Sequence, residues 1–171
     1  MLDGGDNPEG PDEYTDTLET LIKPEGKKGW LINLGEEGYI AHIDAPDQKI
    51  AHLKRIENAS GHAQTHDQLI GNAKNNILDG KGGMDHLIGL DGNDVLMLQA
   101  GIAEGGKGTD LYFIYHSGTH AQIIIKETPM ESSIISLNYR ADQIQGVKID
   151  GQHIAVNLLN DKGVAVTTLK L

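Results

Sequence analysis

Cysteine is absent from the 171-residue chain. Its absence excludes disulfides, thiolate metal sites and cysteine nucleophiles. Aromatic residues are scarce, with five Tyr, one Trp and one Phe, so a large core anchored by aromatic rings is not expected. No apolar run approaches the ~18 residues of a transmembrane helix. The first residues also lack the basic and apolar stretches of a secretory signal peptide. We therefore expect that an exported form uses another route, or that the chain is a fragment.

Positive charge is scarce as well. Lys and Arg total 14 against 25 Asp and Glu, which gives a formal net charge of −11. This balance argues against a nucleic-acid partner, which requires a basic patch, and against docking on anionic lipid. It suits a protein that binds cations. Glycine is abundant, at 22 residues, well above its usual share of about 7%.

The chain divides into four parts. Residues 1–29 form an acidic lead-in interrupted by prolines, and positions 2–6 also read as the end of an upstream repeat. Residues 30–58 contain short apolar runs between turn signals and predict an N-terminal β cap. Residues 59–113 hold the repeats. Residues 114–171 predict a C-terminal antiparallel β cap, with a hairpin at Asp150-Gly151.

Residues 71–113 repeat with a nine-residue period. The successive units are GNAKNNILD, GKGGMDHLI and GLDGNDVLM and, after a seven-residue insertion at 98–104, GGKGTDLYF. Residues 67–70 fit the end of one more, degenerate unit upstream. At the sixth position of the units, this one included, the residues are Asp67, Asn76, Asp85, Asp94 and Asp110. The eighth reads Leu69, Leu78, Leu87, Leu96 and Tyr112. Two columns in register indicate one structural unit that is repeated.

Each unit predicts a turn followed by a short strand. Glycines in the first six residues permit a tight reversal, which directs carbonyl oxygens inward and ends in a carboxylate. The last three residues form a strand whose central apolar side chain points inward. Two units make one coil, so turns n and n+2 stack and share an ion. The predicted fold is all-β: a right-handed parallel β-roll of calcium-binding nonapeptide repeats flanked by β-strand capping segments.

The predicted donors are all oxygen atoms, which favours Ca²⁺ over Mg²⁺ because Ca²⁺ accepts six to eight oxygens in flexible geometry. We expect Asp94 to stack between Asn76 and Asp110, and Asp85 to stack with Asp67 or with the insertion. Some turns could instead stack by hydrogen bonds alone, above all the turn of Asp67, which has lost its glycines. The candidate calcium ligands, through side chains or backbone carbonyls, are Asp67, Asn76, Gly80, Gly82, Asp85, Gly89, Asp91, Gly92, Asp94, Gly105, Lys107 and Asp110.

The array at 71–113 resembles the RTX nonapeptide repeats of secreted calcium-binding proteins. Its lead-in, residues 56–58 followed by 67–72, and its exit at 110–113 are similar to those of the family as well. Departures are Asn76 at an Asp position, Lys81 at a Gly position and the insertion. The resemblance implies a secreted, extracellular protein of a Gram-negative bacterium, exported by a type I secretion apparatus, with the repeats near the C-terminus of a larger toxin-like protein.

The sequence and this resemblance predict a non-catalytic module. It would fold on Ca²⁺ outside the cell, support secretion and stabilise the parent protein. The alternative is a calcium-dependent adhesion or ligand-binding module, in which the C-terminal β segment binds a glycan or host-cell surface near Tyr112, Tyr115 and Tyr139.

An enzyme is not expected. His62 and His66, and likewise His116 and His120, have helical metal-ligand spacing, but they lie at glycine-containing loops and no Glu follows the first His of the first pair. No Gly-x-Ser-x-Gly elbow or phosphate loop occurs.

Overall fold

The structure, a computed structural model, describes residues 2–3, 16–26, 28–117, 121–127, 132–150, 153–159 and 165–170. Much of the lead-in at 1–29 lies outside these residues, including positions 4–6 of the suggested upstream repeat. The hairpin residue Gly151 and His120 lie outside them as well.

The described residues form seventeen strands and one short 3-10 helix, Ala141–Gln143. None of the helical residues described belongs to a segment long and apolar enough to cross a membrane. In chain order the strands are β1 (Leu2–Asp3), β2 (Thr17–Glu19), β3 (Trp30–Asn33), β4 (Tyr39–His42), β5 (Ala51–Lys54), β6 (Asn58–Ser60), β7 (Gln68–Ile70), β8 (Ile77–Asp79), β9 (Asp85–Asp91), β10 (Val95–Leu98), β11 (Gly101–Lys107), β12 (Leu111–Ile114), β13 (Ala121–Lys126), β14 (Ile134–Leu137), β15 (Ile144–Asp150), β16 (His153–Leu159) and β17 (Ala165–Lys170).

One sheet has six strands and is wholly parallel. Its order is β14-β12-β10-β8-β6-β2, so it takes every second strand of the repeat region and extends past it at both ends. Within it, Leu96 is in register with Leu78 on one side and with Tyr112 on the other.

The other sheet has eleven strands and is mixed, in the order β1-β5-β4-β3-β7-β9-β11-β13-β17-β16-β15. Its central run from β3 to β13 is parallel. Antiparallel pairs join β3, β4 and β5 at one end and β15, β16 and β17 at the other. The antiparallel pairing of β15 with β16 agrees with the hairpin predicted around Asp150.

The core lies between the two sheets and is built from the middle residue of each repeat strand. Because side chains alternate across a strand, this residue points inward and its neighbours point outward. The predicted inward column is confirmed, since the following members are fully buried: Leu69, Leu78, Leu87, Leu96 and Tyr112.

The predicted fold class, an all-β right-handed parallel β-roll with separate capping segments, is wrong. The chain forms two sheets, one parallel and one mixed. The flanking strands are not caps laid over the ends of an array, because β3 pairs directly with β7, and β17 pairs with β13. The physical reason is that an array's outer strands would leave rows of unpaired N–H and C=O groups, and the flanks satisfy them by extending the same sheets.

The alternation within one strand gives a matched pair of variants. Leu78 is fully buried, whereas its neighbour Ile77 is 45% exposed. Leu78→Ala should lower the free energy of unfolding by about 2–5 kcal/mol because it opens a cavity between the sheets. Ile77→Ala should cost less than about 1 kcal/mol. Urea unfolding followed by circular dichroism measures both, and equal costs would contradict the two-sheet packing.

Candidate metal centre

The turns between repeat strands stack through their sixth residues. The backbone N–H of Asn76 donates to Oδ1 of Asp94 at 2.8 Å, and the N–H of Asp94 donates to Oδ1 of Asp110 at 2.8 Å. In a second stack, the N–H of Asp67 donates to Oδ1 of Asp85 at 2.9 Å. The predicted stacking partners are therefore present, and each carboxylate uses one oxygen to hold the turn two units before it.

The first glycine of a turn lies against the carboxylate of the same turn. A methyl group added at Gly89 would stand 2.2 Å from Oδ2 of Asp94 and 2.5 Å from the carbonyl oxygen of Gly105. One added at Gly80 would stand 2.5 Å from Oδ2 of Asp85. No side chain fits at these distances, so glycine is required there by close approach.

Glycines further along the turn face main-chain carbonyls of the turn below. A methyl at Gly82 would stand 2.8 Å from the oxygen of Ala63, and one at Gly92 would stand 2.5 Å from the oxygen of Lys74. Gly92 also has a φ of +128°, in the region that favours glycine. Carbonyl oxygens and carboxylates thus face the interior of each stack.

Asp85 and Asp94 each keep one oxygen that the described residues leave unsatisfied. Oδ2 of each is buried and accepts no hydrogen bond from the described residues, and the side chains belong to residues only 2% and 1% exposed. Burial raises the pKa of Asp85 to about 8 and that of Asp94 to about 6. A buried charge without a partner is costly, so a cation bound beside these two atoms would offset that cost.

Asp67 is satisfied by the protein itself. Its Oδ1 accepts the N–H of Trp30 at 2.7 Å, and its Oδ2 accepts the N–H of His62 at 2.7 Å. The hydroxyl of Thr65 donates to both oxygens at 3.0 and 3.1 Å. This turn therefore stacks through hydrogen bonds. That outcome was the alternative given above for a turn that has lost its glycines.

Asn76 is satisfied in a comparable way. Its Oδ1 accepts the N–H of Asn72 at 2.7 Å, and its Nδ2 donates to the carbonyl oxygen of Glu57 at 2.7 Å. The amide nitrogen of Asn76 donates to a carbonyl oxygen, a bond that an ionised carboxylate at this position could not make. Sequence reasoning missed Asn72 and Glu57 as partners of this turn, although two Asn at the second and sixth positions of one turn are a signal for such pairing.

Asp91 and Lys107 point to the outside. Nζ of Lys107 lies 3.0 Å from Oδ2 of Asp91, and both side chains are more than half exposed. The carbonyl oxygen of Lys107 accepts the N–H of Gly92 at 2.9 Å. These two candidates therefore form a surface ion pair across β9 and β11, where such pairs contribute little to stability.

The described residues contain no group of three His, Asp or Glu side chains placed to hold a metal. A cation at Asp85 or Asp94 would therefore take its other ligands from main-chain carbonyls. Near Asp94 the carbonyl of Gly105 is such a donor, since it borders the same point beside Gly89. An oxygen-only set of this kind fits Ca²⁺.

His62 and His66 do not come together as a metal site, whereas the second pair includes His120, which lies outside the described residues. Nδ1 of His62 accepts the N–H of Gln64 at 3.2 Å, and Nδ1 of His66 accepts the N–H of Met84 at 2.7 Å. Each ring is thus engaged by a separate backbone group.

The three tyrosines of the alternative hypothesis have different environments. Tyr112 is fully buried, and its hydroxyl accepts the N–H of Gly105 at 2.9 Å and donates to Glu127. Burial raises the pKa of this hydroxyl well above its usual range. Tyr115 and Tyr139 are partly exposed. Tyr112 therefore belongs to the core rather than to a surface cleft.

Comparisons with known proteins give no family assignment. No protein-family model matches the chain, and no curated protein matches it. The resemblance to the RTX family rests on the repeat motifs alone.

The close approach at Gly89 predicts a large effect from one methyl group. Gly89→Ala should lower the free energy of unfolding by about 3 kcal/mol, because the turn must open to accommodate the new atom. The control is Gly35→Ala, where the nearest atom is a side-chain oxygen of Asn33 at 3.0 Å and the expected cost is below about 1 kcal/mol. Urea unfolding compares the two, and equal costs would overturn the packing described for this turn.

Proposed function

We propose that this chain is a non-catalytic calcium-binding repeat module. The observation that carries the proposal is the pair of buried carboxylate oxygens at Asp85 and Asp94 that accept no hydrogen bond from the described residues. Each lies in a glycine-lined stack with carbonyl oxygens nearby. In this respect the turns of Asp85 and Asp94 differ from those of Asp67 and Asn76, whose side chains the protein satisfies by itself.

The donor chemistry favours Ca²⁺. Carboxylate and carbonyl oxygens are hard ligands, and the chain offers no thiolate. Ca²⁺ tolerates the irregular geometry of stacked turns, whereas Mg²⁺ requires a small, near-ideal octahedron and retains its waters. When bound, the ion would supply positive charge to the buried oxygens, and Asp85, Asp94 and neighbouring carbonyls would hold it.

Binding and folding would be coupled. The chain carries a net charge of −11, and without cations the turns would place carboxylates in a desolvated interior. At low calcium the extended chain is favoured, while ligand that binds only the folded state stabilises it by mass action. Extracellular calcium modules have Kd values on the order of 10⁻⁴–10⁻³ M, which would place folding outside the cell.

This coupling suits an exported protein. A chain that is extended inside the cell and folds outside can pass through a channel and then resist sliding back. With the resemblance to RTX repeats, it supports a secreted module of a Gram-negative bacterium that uses a type I apparatus. Its role would be to fold on calcium and to stabilise a larger toxin-like parent protein.

A calcium titration tests the coupling. Starting from an EDTA-treated sample, far-UV circular dichroism should show a cooperative gain of β signal near millimolar calcium, because ion binding offsets the buried charge. Magnesium should not reproduce the change. A spectrum already folded in EDTA and indifferent to calcium would overturn the proposal.

A charge-matched pair of variants tests the site. Asp94→Asn keeps an oxygen to accept the N–H of Asn76 but removes the buried charge. It should weaken calcium binding at least about tenfold, which corresponds to ~1.4 kcal/mol. Asp91→Asn removes the same charge from an exposed ion pair and should leave the affinity within about twofold. Calcium titration by calorimetry measures both, and equal effects would contradict the assignment of Asp94.

A further inference from the structure

A shallow, open recess with polar and apolar walls lies beside the second stack of turns. Its volume is about 570 Å³, and its lining includes Lys81, Gln99, Tyr115, His116 and Asn138. It takes residues from the repeat turns and from the segment that follows the array, and it is separate from the carboxylates of Asp85 and Asp94.

The recess borders the insertion at 98–104, because Gln99 belongs to both. In the stack that contains Asp94, the stacked residues Asn76 and Asp94 are 18 positions apart, which is two full repeats. Asp94 and Asp110 are only 16 positions apart, because the segment between their units has seven residues and not nine. Only two residues connect β10 to β11, whereas five connect β8 to β9. The short connection still stacks, because the carbonyl oxygen of Ala100 accepts the N–H of Asp85 at 3.0 Å. This short connection replaces a full turn at the position where the recess lies.

Three side chains that line the recess are held by hydrogen bonds or ring contacts with neighbouring residues. Nε2 of Gln99 donates to the carbonyl oxygen of His116 at 3.2 Å. The hydroxyl of Tyr115 donates to Oδ2 of Asp79 at 3.3 Å. The His116 ring lies 4.9 Å from the ring of Tyr139, centre to centre. A site held in this way requires little ordering when a ligand binds.

The ammonium group of Lys81, which lines the recess, is already paired. Nζ of Lys81 lies 2.9 Å from Oδ2 of Asp79, so the cation is balanced at its rim. The chain as a whole is strongly acidic, which disfavours anionic ligands. The lining also offers the aromatic ring of Tyr115 and the amides of Gln99 and Asn138. Side-chain amides both donate and accept hydrogen bonds.

We propose that this recess binds a neutral saccharide unit. A sugar ring presents C–H groups that pack on an aromatic face such as that of Tyr115, and its hydroxyls both donate and accept. The amides of Gln99 and Asn138 match those hydroxyls without requiring charge. A few placed polar groups in a concave site are what orient small ligands. The saccharide would not contact the carboxylates of Asp85 and Asp94, although Gly82, in the turn of Asp85, also lines the recess.

Saturation-transfer NMR on the full, calcium-loaded chain tests the proposal. The probes are the methyl glycosides of glucose, galactose and mannose, with glucuronate as the anionic probe. At least one glycoside should bind with a Kd on the order of 1–10 mM. Asn138→Ala and Gln99→Ala should each weaken that binding at least about fivefold. Asn138 is exposed, so its replacement should not disturb folding, which circular dichroism checks.

Gln122→Ala is the matched control. It also removes an exposed amide, but from β13 in the eleven-stranded sheet, and Gln122 is not among the residues that line the recess. It should leave saccharide binding unchanged. Absence of transfer from all three glycosides, binding that survives in both recess variants, or binding of glucuronate alone would each overturn the proposal. A failed calcium titration with retained glycoside binding would overturn only the calcium function.

Discussion

One hydrogen bond organises the repeat region: a side-chain oxygen of one turn accepts the backbone N–H of the sixth residue two turns earlier. It recurs from Asp85 to Asp67, from Asp94 to Asn76 and from Asp110 to Asp94. The bond fixes the spacing of the stacks and draws each carboxylate into the interior. Glycine at the start of the turn is then obligatory, because no side chain fits beside the second oxygen.

The second oxygen decides how a turn is stabilised. At Asp67 the second oxygen accepts the N–H of His62, and at Asn76 the side-chain oxygen accepts the N–H of Asn72, each within its own turn. At Asp85 and Asp94 the described residues supply none. The stacks therefore begin with turns closed by hydrogen bonds and continue with turns where buried charge opposes folding. On the proposed function, calcium removes that opposition, so the start of each stack would be the part least dependent on the ion.

The nine-residue period predicted the inward column of apolar residues and the order in which turns stack, because both are local consequences of side-chain alternation and repeat length. It did not predict that Asn76 is satisfied by its surroundings, since the carbonyl it contacts belongs to Glu57, 19 residues upstream. Nor did it predict the recess at Gln99. The insertion was visible in the sequence, but the hollow also needs Tyr115 and Asn138, which come from a later segment.

By itself, the sequence determined the repeat, the buried leucine column and the oxygen chemistry of the turns. Composition and spacing express these properties within one unit. The tertiary structure alone decided that the flanks continue both sheets, and that Asp85 and Asp94 rather than Asp67 keep an unsatisfied oxygen. The first outcome depends on which distant strand pairs with an open strand edge, and the second on whether a backbone N–H or a hydroxyl group turns toward the carboxylate. The nine-residue period carries neither kind of information, because it fixes the spacing along the chain and not which group meets which.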